Sequence, residues 1–305
     1  QADSPVRIEP WPAGSEASSP HPDDDVLVSA FGCEPPPQLR AALAGGPARP
    51  LWIHLEYLSA EPWIDGCHGL RAIRPDDGAI EHFYYPGFTE RSGGLLRERS
   101  LLAQRTAFTG SPRQPDWLTR HGIARERGER LVTMFCYPDA PLAAWLAKVA
   151  EGARPHLVVA PDASADEALG AFFGHRLAPG QVGRRGRLRV LRIPFLPQDD
   201  YDRLLWSADL NFVRGEDSWI RAHWAARPFV WQPYAQAGGT HLVKLQAFLD
   251  RFLPGGDGVG ERFRVTRWFD ADLQQDQEAA TLEIVGVVAS PPRPGGGQVH
   301  PFFWV

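Results

Sequence analysis

The chain has 305 residues, 43% of them hydrophobic and 23% charged, a balance that supports a packed core and excludes disorder throughout. A net charge of −5 provides no basic field, so nucleic acid is not expected as a principal partner. No apolar run reaches the roughly 18 residues that a membrane helix needs, so no membrane partner is expected either. The three cysteines, Cys33, Cys67 and Cys136, lack the spacing of a zinc site or a disulfide framework. A reducing, cytoplasmic location is the simplest expectation, with no metal. Only two of the 32 basic residues, Lys148 and Lys244, are lysines, and the 30 glycines and 29 prolines require long irregular stretches.

Residues 1–25 are polar and rich in Pro, Ser and Asp, which reads as loop. Val26 to Phe31 is a short strand of buried type, followed by a helical stretch near Gln38 to Ala44. Leu51 to Leu58 and Ile80 to Tyr85 read as two further strands. From Glu98 to Glu129 the pattern is Arg-rich and irregular, and we expect connecting structure and a domain boundary there.

Beyond residue 130 the pattern sharpens. Strands are expected at Leu131 to Tyr137, His156 to Ala160, Arg187 to Ile193, Ala208 to Val213 and Pro228 to Gln232. Helices are expected between and after them: Pro141 to Ala150, Ser164 to Phe173 with Ser164 as N-cap, Gln198 to Trp206, Glu216 to Ala225 and Thr240 to Phe252. Strands alternating with helices in this way make a parallel, doubly wound sheet. The tail is heterogeneous, with one more possible strand at Leu282 to Val288.

In open parallel sheets ligands bind beyond the carboxyl ends of the strands. The richest such segment is Arg214-Gly215-Glu216-Asp217-Ser218. Gly215 permits close backbone approach, and a helix starting at Glu216 would offer unpaired amides to a diphosphate, with Arg214 adding charge. Glu216 or Asp217 suits sugar hydroxyls instead, because a carboxylate beside a phosphate repels it. A capped helix start with an Arg–carboxylate pair would use the same residues without a ligand. At the neighbouring strand ends, Phe135, Tyr137, Phe195 and Tyr234 can stack on a planar base, and Gln198 can read its edge. Taken singly, phenylalanines such as Phe135 and Phe195 are more often core residues than ligand contacts. Asp23 to Asp25 reads as a solvated charge run, and His54 with Glu56 as one strand face without a third ligand. Ser92-Gly93-Gly94 lacks the strand–GxGxxG–helix context of a dinucleotide site.

Several segments together resemble the EF-P arginine rhamnosyltransferase family (EarP). They are Ile193 to Gln198 (IPFLPQ), Phe212 to Ser218 (FVRGEDS), Trp224 to Tyr234, His241 to Asp250, Leu51 to Glu61 and Gly87 to Glu98. The resemblance covers about residues 26–252. It implies an α/β GT-B architecture of two Rossmann-like domains facing a cleft: a partial acceptor domain at 1–128, a nucleotide-sugar domain at 129–255 and a divergent tail at 256–305. It implies transfer of rhamnose from dTDP-β-L-rhamnose to an arginine of translation elongation factor P, with inversion and without metal or cofactor. Phe135, Tyr137, Phe195, Gln198, Arg214, Gly215, Glu216, Asp217, Ser218 and Tyr234 would form the donor pocket, with Glu216 catalytic. In the family the acid that grips the guanidinium lies in a glycine-containing loop after the first strand, and residues 1–25 carry no matching segment. The alternative expectation is a relative that binds the dTDP-sugar without turning it over.

Overall fold

A computed structural model describes residues 25–44, 50–140, 142–161, 165–234, 240–252 and 286–287. Two compact units divide between Leu96 and Arg97.

The first unit holds a four-stranded sheet. Strands β1 (Val26–Ala30), β2 (Leu51–Leu55) and β4 (Ile80–Tyr84) run parallel, and β3 (Arg71–Ile73) closes the edge antiparallel to β4. Helix α1 (Pro37–Ala44) follows β1. Alternation along β2 buries Trp52 and His54. The guanidinium of Arg74 stacks over Trp52 and bonds Glu34 and Glu81, and these two carboxylates hold it charged.

The second unit holds seven strands in the order β11-β10-β9-β5-β6-β8-β7: β5 (Arg130–Met134), β6 (His156–Ala160), β7 (Val182–Arg185), β8 (Leu188–Arg192), β9 (Leu210–Arg214), β10 (Phe229–Gln232) and β11 (Gly286–Val287). The five expected strands β5, β6, β8, β9 and β10 are the parallel ones. In chain order they fill positions 3-2-1-4-5, which places the switch of winding direction between β5 and β9. A buried pair locks that seam: Thr133 donates to Asn211 at 2.9 Å, and Asn211 donates to the Leu205 carbonyl. The helices are α4 (Leu142–Glu151), α5 (Asp166–Phe173), α6 (Gln198–Ser207), α7 (Asp217–Ala225) and α8 (Thr240–Phe252). Trp145, Leu146, Leu169, Val158 and Phe212 are among the side chains that pack the core between sheet and helices.

Several expectations are corrected. The irregular stretch from Glu98 contains two helices, α2 (Leu101–Phe108) and α3 (Arg113–Arg120). Each is short and buries few side chains (Leu101 and Phe108 in one, Trp117 in the other), too few to leave a periodic pattern. Pro115 falls in the first turn of α3, where a missing amide costs no hydrogen bond. Both helices pack on α6, and α2 also on α7, so they belong to the second unit, ahead of the boundary expected at 128/129. Strand β7 also escaped notice, because its sequence VGRR is polar and exposed on an edge. Gly186, at φ +55°, makes the turn from β7 into β8, and a β-carbon there would strike the Ala150 carbonyl at 2.2 Å. Strand β5 ends at Met134, three residues before the expected Tyr137, and β9 extends to Arg214. Pro141, Ser164 and most of the expected tail strand lie outside the described residues.

Candidate functional site

The switch between β5 and β9 delivers two segments side by side. Phe135, Cys136 and Tyr137 leave β5 while Gly215, Glu216 and Ser218 follow Arg214 at the end of β9. The guanidinium carbon of Arg214 sits 4.2 Å from the ring centroid of Phe135 and 4.9 Å from that of Tyr137. It also donates to the Cys136 carbonyl at 3.3 Å. Two rings and a carbonyl therefore fix a positive charge at the strand ends.

Gly215 adopts φ +59°, and a β-carbon there would lie 2.8 Å from the Tyr137 hydroxyl oxygen. Glycine is required on both counts. Its amide donates to the Gln232 carbonyl, and its own carbonyl accepts the indole N–H of Trp231 at 2.7 Å. Trp231 stacks on Trp219 at 3.8 Å. The turn is thus anchored from beneath. Helix α7 begins at Asp217, with Glu216 at the capping position but making no side-chain cap. The first-turn amides of a helix have no intrahelical acceptors, and its dipole favours an anion there. Ser218 is buried, and its hydroxyl bonds both the amide and the carbonyl of Arg214. Asp217 is exposed.

Tyr234, after β10, meets Tyr137 edge-on at 5.6 Å and is 65% exposed. Burial pushes the Tyr137 phenol up from its ordinary pKa, with Arg214 pulling it the other way. Phe195 and Gln198 follow β8, two strands away from β5, with Gln198 opening α6. Phe195 is 74% exposed, which removes the reading of it as a core residue. Tyr201, one turn into α6, touches Phe135 at 5.5 Å and ties that helix to the seam.

Sequence reasoning missed two participants. Lys244 on α8 brings its ammonium 4.0 Å from the Glu216 carboxylate. Its rarity in a chain with only two lysines was the available signal. Gln232 accepts the Tyr137 amide through its side-chain oxygen and donates to Asp139, bracing the loop after β5. A cavity of about 630 Å³ lined by Phe108, Arg113, Trp117, Arg120 and Arg203 lies among α2, α3 and α6 and includes none of the strand-end residues. No group of three or more His, Cys, Asp or Glu side chains is placed to hold a metal among the described residues. No helix among them is long and apolar enough to cross a membrane.

Comparison with known proteins identifies a family and several relatives. Residues 1–280 match the model of the family described as Elongation-Factor P (EF-P) rhamnosyltransferase EarP. The protein-arginine rhamnosyltransferase of Pseudomonas aeruginosa is 44% identical over 76% of this chain and 62% of its own length. That of Pseudomonas putida is 40% identical over 90% of this chain and 74% of its own. A solved structure described as the structural basis for EarP-mediated arginine glycosylation of translation elongation factor EF-P superposes with a TM-score of 0.51 at 40% identity. It covers 56% of this chain and 54% of that one. The chain therefore spans less than two thirds of the length of the Pseudomonas aeruginosa relative. The fold class is the α/β architecture of GT-B glycosyltransferases.

Proposed function

The chain belongs to the EarP family of elongation factor P rhamnosyltransferases, and on that premise we propose that it moves L-rhamnose from dTDP-β-L-rhamnose to an arginine of elongation factor P, with inversion, in the cytoplasm. The observation that carries this reading is the charge of Arg214, held by Phe135 and Tyr137 at the switch point directly before the start of α7.

In this reading Arg214, the first-turn amides of α7 and the Ser218 segment receive the diphosphate. Lys244 adds a second positive charge, and Tyr137 and Tyr234 offer ring faces to the thymine, with Phe195 and Gln198 closing on it from the β8 side. Glu216 accepts hydrogen bonds from the sugar hydroxyls and stabilises positive charge building at C1, while Asp217 binds from the exposed side. A guanidinium nitrogen forms the new bond to C1. The old C1–oxygen bond breaks with its electron pair passing to the diphosphate, and the nitrogen gives up a proton to a carboxylate. The protein contributes mainly electrostatic stabilisation of the leaving diphosphate, so the reaction as drawn needs no metal or cofactor.

Incubating the chain with dTDP-rhamnose and elongation factor P and weighing the latter tests the proposal. One added deoxyhexose is expected. Donor binding without any gain in mass would reduce the protein to a carrier of the nucleotide sugar, and tighter binding of NAD than of dTDP would remove even that.

A further inference from the structure

The cavity among α2, α3 and α6 has no part in the donor reading. Each of the three helices gives it one face. Arg113, Trp117 and Arg120 follow one another on α3 at helical spacing, which sets them in a single stripe along the helix. Ala107 and Phe108 line it from α2, and Asp200, Arg203 and Trp206 from α6. Its volume of about 630 Å³ falls within the roughly 300–1,000 Å³ of small-molecule sites.

The inner wall is aromatic. Phe108 meets Trp117 edge-on at 6.2 Å and Trp206 at 5.8 Å, and all three rings are buried. His121 covers Trp117 at 4.1 Å, with its Nδ1 on the Trp117 carbonyl at 2.9 Å. One acid reaches this wall, and its charge is matched. Asp200 accepts the Trp117 indole N–H at 2.8 Å and a guanidinium N–H of Arg203 at 2.7 Å. Burial works to raise its pKa, but these bonds outweigh it and hold the carboxyl below its ordinary range.

The mouth is positively charged. Arg113 and Arg120 are exposed, and neither pairs with a carboxylate among the described residues; Arg120 bonds the Asp116 backbone carbonyl. The two stand two turns apart, about 10 Å along the axis, a span that two long side chains can close on one anion. Against them stands one exposed acid of the lining, Asp116. Aromatic walls below a pair of free guanidinium groups suit a ring that carries an anion. A carboxylate fills one guanidinium fork and leaves the second charge unmatched. A phosphate monoester brings a charge of about −1.5 to −2 and three acceptor oxygens, enough for both.

We propose that this cavity binds a small planar ring bearing a phosphate monoester, with the ring against Phe108, Trp117 and Trp206 and the phosphate held by Arg113 and Arg120. The site shares no residue with the strand-end cluster, and the assignment does not depend on the proposed activity.

The test is calorimetric titration of the whole chain with phenyl phosphate, in excess dTDP so that the strand-end site is occupied. Phenyl phosphate should bind at least tenfold more tightly than inorganic phosphate, phenol or benzoate. No binding overturns the assignment, and so does a match by any of the other three, because the ring and the dianion are then not both read. Arg113→Met combined with Arg120→Met should weaken phenyl phosphate at least tenfold, whereas Asp116→Asn should tighten it by relieving repulsion. Ala107→Trp, from an exposed position on α2, should fill the cavity and abolish binding with every arginine in place. If phenyl phosphate binds the double arginine variant and Ala107→Trp as it binds the wild type, it sits elsewhere and the proposal falls. Should the double arginine variant unfold, Ala107→Trp decides: lost binding at an unchanged melting temperature supports the site, and retained binding overturns it.

Discussion

The hydroxyl oxygen of Tyr137 stands 2.8 Å from the point that a β-carbon on Gly215 would occupy. No L-residue with a side chain fits there without moving Tyr137, and the backbone at φ +59° adds its own penalty. Gly215→Ala should therefore weaken dTDP by a factor of ten or more, about 1.4 kcal/mol. The ring carbon Cζ is 3.9 Å from the same point, an ordinary contact, so the clash belongs to the hydroxyl alone. Tyr137→Phe added to Gly215→Ala should restore part of the affinity. If the double variant is no better than the single, the contact does not limit binding.

Glu216 and Lys244 make a half-exposed pair 4.0 Å apart. Such pairs contribute about 0.2–1 kcal/mol. Losses beyond that must come from a ligand. Glu216→Ala should reduce donor binding or turnover more than about tenfold. Lys244→Met should weaken dTDP by more than its pairing with Glu216 explains, and the deficit should shrink as salt rises. A double-mutant cycle in which the whole Lys244 effect vanishes once Glu216 is gone would confine the lysine to that pair.

Phe195 projects into solvent at 74% exposure, so truncating it removes little core packing. Phe195→Ala should leave thermal stability within about 0.5 kcal/mol of the parent. It should loosen dTDP more than inorganic diphosphate, since the ring is assigned to the base. Equal losses for the two ligands would withdraw Phe195 from the base site.

Asp202 is a buried carboxyl in the second unit. It lies 3.2 Å from Arg221, which also binds Glu98. Burial pushes its pKa up to about 6 despite the arginine, with Glu98, Asp199 and Asp217 adding to the rise. An acid whose folded pKa is raised binds protons more readily in the native state than in the unfolded one. Its contribution to stability therefore grows as pH falls through 6 and levels off below the unfolded value near 4. Between pH 7 and pH 4.5 the wild type should gain about 2 kcal/mol relative to Asp202→Asn. Burial lowers the pKa of His223 and acts in the opposite sense, in both proteins alike, so the difference between them isolates Asp202. Denaturant titrations at the two pH values would show it, and parallel curves would contradict it.

Much of the second unit was legible from the chain alone. Strands β5, β6, β8, β9 and β10 are apolar runs separated by helical periodicity, and local pattern suffices for both. The same alternation locates the strand ends, and hence Arg214 to Ser218. Helices α2 and α3 were illegible because so little of each is buried, and β7 because an exposed edge places no apolar demand on its residues. Glu56 was read with His54 as one strand face without a third ligand. The Ser29 hydroxyl that meets His54 lies 25 positions away in sequence, brought there only by the register of β1 on β2.

Residue type and spacing decided the five parallel strands of the second unit, the helices between and after them, and that an arginine, a glycine and two acids would meet at one strand end. Periodicity acts within a few residues of the chain, so it could go that far. The order of strands in the sheet decided the rest. It set Phe135 and Tyr137 against Arg214 and brought Lys244 to Glu216, because each of these contacts joins residues that only pairing across the sheet or packing upon it makes neighbours.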